Sequence, residues 1–193
     1  YHAKDFTKIS DPKRKRHDGC TGCPRGKYGV KEMSENEAAG CTECSAGRFS
    51  ETEAVDSTDL FDQQFCSPCP SGKWNDQTGS TKDSQCTSCG SGSYSTEPAA
   101  VSTTSCTPCA AGKFSETVGV AIETACLKCP LGFHQLLGGM AYCLPCEPGT
   151  RGTTDMNGGV VCQECAANTF TKDSQLKECA PCAEGRSSST GAV

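Results

Sequence analysis

Apolar side chains are thinly spread along the chain, and where they cluster they alternate with polar ones over a few residues. Ser, Thr, Gly and Asp fill the intervening stretches, so the pattern predicts small two-stranded ribbons and turns rather than helices. Lys31 to Ala39 is the one stretch that predicts a helical turn or two. No apolar run approaches the roughly 18 residues that a membrane-spanning helix needs.

The regular feature is cysteine. All 18 cysteines fall in nine Cys-x-x-Cys pairs, beginning at Cys20, Cys41, Cys66, Cys86, Cys106, Cys126, Cys143, Cys162 and Cys179, at steps of 17 to 25 residues. A fixed period of this size is the signature of a repeat architecture. Three residues after the second cysteine stands Gly26, Gly47, Gly72, Gly92, Gly112, Gly132, Gly149 or Gly185, with Asn168 in the remaining repeat. Gly reaches positive φ without steric cost and Asn is its best substitute, so a tight turn is expected after every pair. Two residues further on, Tyr28, Phe49, Trp74, Tyr94, Phe114 and Phe170 supply a ring, expected to cover the neighbouring disulfide. Phe133 and His134 read as the same device shifted by one residue, with His134 a packing residue, while Arg151 and Ser187 break the pattern.

Composition explains why cysteine must carry the fold. Leu, Ile, Val and Phe together number 24 of 193 residues, about an eighth. That is below the roughly 20% at which apolar burial normally offsets ordering entropy. A reducing compartment would leave a polar chain without a core, so the expected location is extracellular or the cell surface. The fold class expected is small, disulfide-rich and mostly irregular or β. It is an elongated rod of nine tandem repeats over 20–193, the last incomplete, behind a basic amino-terminal tail at 1–19.

Charge narrows the partners. The net charge is −5, yet residues 1–18 carry six basic side chains against three acidic ones. The acidic remainder is a poor nucleic-acid surface, since such binding needs a basic face to displace counterions. Lys13-Arg14-Lys15-Arg16 reads as a processing site, an acidic-surface contact or a solvated tail. The acidic insertion from Glu51 to Gln64 lacks EF-hand spacing and reads as a solvated loop.

Enzymatic constellations are missing: no nucleophile elbow, no phosphate loop, no His-Glu-x-x-His. Cys66-Ser-Pro-Cys69 and its three Pro-containing equivalents resemble a redox dithiol, but nothing supplies the helix amino terminus that lowers a catalytic thiol's pKa. Repeated Cys-x-x-Cys also suits zinc knuckles. Nine is an odd number of pairs for two-by-two sites and no histidine stands at ligand spacing, so no metal or cofactor is expected. None of the four asparagines begins an Asn-x-Ser/Thr acceptor, whereas 20 Ser and 20 Thr offer O-linked positions.

Segments such as Cys23-Pro-Arg-Gly-Lys-Tyr28, Cys69-Pro-Ser-Gly-Lys-Trp74 and Cys109-Ala-Ala-Gly-Lys-Phe114 resemble the ephrin-receptor-like cysteine-rich repeats, relatives of the tumour necrosis factor receptor and EGF-like modules. The resemblance runs from Cys20 to about Arg186. Such repeats serve as receptor ectodomains, stalks and surface coats alike, so it implies architecture more than activity.

Three disulfide schemes are open on the sequence: closure within each pair, pairing of motifs in twos, and a chain link from each motif to the next. The resemblance implies the chain link: Cys23–Cys41, Cys44–Cys66, Cys69–Cys86, Cys89–Cys106, Cys109–Cys126, Cys129–Cys143, Cys146–Cys162 and Cys165–Cys179. Cys20 and Cys182 are then expected to bond outside the chain. With no Met before Tyr1, the sequence reads as a mature protein or a portion of a longer one. The function expected is an extracellular structural rod, filament or surface-coat component partnered by its own copies or by other extracellular proteins. The alternatives are a ligand-binding ectodomain and a zinc-binding repeat protein.

A bridge closing about 15 residues removes denatured-state entropy worth about 3 kcal/mol in the chain-entropy model. Full reduction at neutral pH and without heating is therefore expected to abolish native near-ultraviolet circular dichroism and protease resistance. Persistence of both would contradict a fold held by bridges.

Overall fold

The computed structural model describes residues 22–29, 40–53, 65–154 and 159–193. The basic tail, Cys20, the stretch from Lys31 to Ala39 and most of the acidic insertion lie outside them. The protein is small, mostly β and disulfide-rich, built of repeating two-stranded antiparallel units each closed by a disulfide. Eight bridges link the second cysteine of one motif to the first of the next: 23–41, 44–66, 69–86, 89–106, 109–126, 129–143, 146–162 and 165–179.

The unit closed by Cys69 and Cys86 shows how the sequence makes the fold. Pro70 and Ser71 lead into a turn at Gly72, whose φ is +83°, and Lys73 donates its amide back to Pro70 at 3.1 Å. The strand Lys73–Trp74 then pairs with Thr87–Ser88, the two residues inside the next Cys-x-x-Cys. Between them the chain makes one turn of 3-10 helix at Asp83–Gln85, where Gln85 Oε1 accepts from the amides of Thr81 and Lys82 at 2.7 and 3.0 Å. A ladder of two residue pairs is too short to stand alone in water. The bridge closes it.

Successive units are joined through backbone. The Gly47 amide donates to Asn75 carbonyl at 2.7 Å, and the Ser50 amide to Ser80 carbonyl at 3.0 Å. Ring-position residues make parallel bridges to the unit that follows, as in Phe49 with Ser80, Trp74 with Ala100 and Tyr94 with Val120. Asn168 takes the turn conformation with φ +68°.

The sulfurs are most of the core. The second cysteine of every pair from Cys23 to Cys165 is buried, as are Cys66, Cys86 and Cys126; apart from cysteine, the only buried apolar side chains among the described residues are Ala100, Val120 and Val160.

Contacts are not confined to adjacent units. A Cβ on Gly47 would lie 2.1 Å from the carbonyl oxygen of Ala99, two units on, and one on Gly72 would lie 2.2 Å from that of Gly119. Gly92 and Gly132 meet Gly139 and Gln175 in the same way. The turn glycine is thus required twice, for its positive φ and for the approach of a third backbone. Gly79 also has a positive φ, but the atoms nearest a Cβ there belong to the Glu43 side chain, at 3.3 Å, and not to backbone.

Gly79→Ala should therefore cost little more than the left-handed penalty of about 1–2 kcal/mol. Gly72→Ala adds a backbone clash and should cost roughly 3 kcal/mol or more. Native-state hydrogen exchange of amides flanking each turn measures both. Equal losses at the two sites would remove the close-approach argument.

Candidate functional site

The ring positions are half-buried. Gly29 follows Tyr28, but from Phe49 onward each sits on a strand that ends one residue before a buried polar position. That position forms a column not anticipated from sequence: Ser50, Asn75, Ser95, Ser115, Gln135 and Thr171 are all at most 6% exposed. Asn75 Nδ2 donates to Ser80 Oγ at 2.7 Å and its Oδ1 accepts from the Gln77 amide at 2.9 Å. Gln135 Nε2 donates to Tyr142 carbonyl at 3.0 Å while its Oε1 accepts from the Leu137 amide at 3.1 Å. Thr171 Oγ1 accepts from the Gly149 amide at 2.6 Å. These side chains shape the loops after the strands, so they are structural. Among the described residues Ser95 Oγ is the one buried side-chain polar atom without a partner.

Charged side chains contribute less. Lys73–Asp83 at 3.4 Å and Lys113–Glu123 at 3.3 Å occupy equivalent places in two units, both on partly exposed surface. Screened pairs of this kind contribute about 0–1 kcal/mol.

The units closed by Cys129–Cys143 and Cys146–Cys162 depart from the rest. Phe133–His134 pairs with Leu144–Pro145, in the register Phe133 to Pro145 and His134 to Leu144. The equivalent Lys113–Phe114 strand pairs Phe114 with Leu127. There is accordingly no shift by one residue. His134 itself occupies the ring position, and Phe133 takes the place of lysine. Nor is His134 simply a packing residue, because its Nδ1 lies 2.9 Å from Cys162 Sγ, in the bridge of the next unit.

The next hairpin is longer than its counterparts, Thr150–Thr154 against Val160–Glu164 over five residue pairs. Gly152 lies within it because a Cβ there would be 2.1 Å from the Gly132 amide nitrogen. This draws the hairpin onto the strand carrying His134. His134, Cys146 and Cys162 consequently form a group of potential donor atoms all within 4.8 Å of one another. The three lie 12 and 16 residues apart in the chain, so no local ligand spacing revealed them. In the structure both sulfurs are spent on one disulfide.

Two further features lie on the surface. Six large apolar side chains, Leu127, Leu131, Leu136, Leu137, Tyr142 and Leu144, are between 43% and 68% exposed. Tyr142, a ring outside the repeat positions, is among them. Cys182 is half-buried and free, its Sγ 3.4 Å from Ser188 Oγ. Cys20, expected to bond outside the chain, lies outside the described residues.

A family model for the tyrosine-protein kinase ephrin type A/B receptor-like module matches residues 32–86, a partial match. No curated protein matches the chain at a significant level. The bridged two-stranded pattern continues well beyond the matched segment, through Cys179.

The buried polar column separates load from decoration. Asn75→Ala removes two hydrogen bonds from a buried position and should cost about 1–3 kcal/mol. Ser95→Ala removes a hydroxyl that has no partner and should be neutral or slightly stabilising. Urea unfolding of the disulfide-intact variants compares them, and a larger loss at Ser95 would contradict the assignment.

Proposed function

We propose that the chain is an extracellular, non-catalytic structural repeat protein, a component of a rod, filament or surface coat. The observation that carries this is how the units join: the hydrogen bonds between them are overwhelmingly backbone to backbone. Such a joint depends little on surface side chains and can be repeated without enlarging a core. Eight bridges in so apolar-poor a chain favour an oxidising compartment. Among the described residues no helix is long and apolar enough to cross a membrane. Its partners are then other copies of itself or other extracellular proteins, and its exposed Ser and Thr suit O-linked glycans.

The second reading is an ectodomain that binds a protein ligand. It is favoured by the exposed apolar residues between Leu127 and Leu144 and by the receptor-like match at 32–86. Electron microscopy of the native material separates the two. Filaments or a lattice with a repeat set by the stacked units are the expected result. Isolated monomers at the natural surface density would overturn the structural reading in favour of the ectodomain.

A further inference from the structure

We propose that His134, Cys146 and Cys162 form a redox-gated metal site. As a disulfide the pair binds no ion. Opened by an external thiol, it becomes a three-donor site for a thiophilic divalent cation of the zinc class. Two sulfurs and one imidazole nitrogen are a donor set that suits such an ion, with a fourth position left for water.

The case rests on what holds the donors in place. In most units the bridge closes a ladder of only two residue pairs and the first cysteine of the next motif lies outside it, as Cys86 does, so opening the bridge frees that cysteine. Here Cys162 lies inside the five-pair hairpin, paired with Gly152. Cys146 is held by its own amide, which donates to Gly132 carbonyl at 2.8 Å, and by its carbonyl, which accepts from the Gln175 amide at 3.1 Å. His134 is fixed on a strand paired with Leu144–Pro145. None of these constraints is the S–S bond, so the three donors stay together when it opens. Tetrahedral zinc with sulfur ligands at about 2.3 Å sets the sulfurs about 3.8 Å apart, a small movement for two side chains whose backbones stay fixed.

The chemistry balances. Two equivalents of an external thiol exchange with the bridge, entering at the half-buried Cys162 rather than at the fully buried Cys146. They leave as one external disulfide, and the two cysteines gain the two protons and two electrons. Binding a divalent cation then releases the two thiol protons. Because the ion binds only the opened form, it draws the equilibrium towards opening at this pair.

The test uses the whole chain in glutathione buffers of graded ratio, with and without zinc, followed by alkylation and peptide mapping of every bridge. At a redox ratio that leaves the other bridges closed, saturating zinc should raise the open-to-closed ratio of Cys146–Cys162 at least tenfold. The remaining bridges should be unchanged. In His134→Gln the effect of zinc should fall tenfold or more. Zinc acting on all bridges alike, or on none, overturns the proposal, as does an undiminished effect in His134→Gln. Should that variant fail to fold, cobalt(II) added to the partly reduced natural chain supplies the second measurement. Thiolate-to-cobalt charge transfer with tetrahedral d–d bands is expected, and an octahedral, thiolate-free spectrum overturns the site.

Discussion

At Cys69 the sulfur bonds Cys86, the amide donates to Gly47 and the carbonyl accepts from Ala99. One residue thereby engages its own unit, the one before and the one after. The same three commitments recur at Cys44, Cys89, Cys109, Cys146 and Cys165. This explains why the second cysteine of each pair from Cys23 to Cys165 is buried while several of the first cysteines are half-exposed. A buried backbone amide and carbonyl must both be satisfied. Placing them on the residue that also carries the bridge fixes the position of the bridge relative to two other units.

The turn glycine follows from that junction. Its carbonyl receives the amide of the next unit's cysteine, as Gly47 does from Cys69, and its own amide donates to the buried polar position of the next unit. With both backbone groups engaged and a third backbone packed where Cβ would be, no room is left for a side chain.

Spacing along the chain was enough to read the period, the turn residues and the ribbons, because each depends on residues close in sequence. What escaped the sequence depends on units further apart. A second set of positive-φ residues, including Gly79, Ala99, Gly119 and Gln175, faces the first, but Ala and Gln carry no local sign of it. Ser50, Asn75 and Ser95 look like ordinary loop residues and are buried only because neighbouring units cover them. His134 looked like a displaced ring until the register of its strand placed it at the ring position, beside a bridge from another unit. The disulfide pairing itself was open on the sequence and came only through resemblance to a family.

The overlap between next-but-one units has a mechanical consequence. An array whose members meet only their immediate neighbours can hinge at any one joint. In this one the turn of each unit is also wedged against the second unit along, like slates laid over two courses. A bend must slide three members past one another at once, so stiffness accumulates along the array instead of being set by its weakest joint. The same overlap lengthens the stretch that must loosen together when any one unit opens.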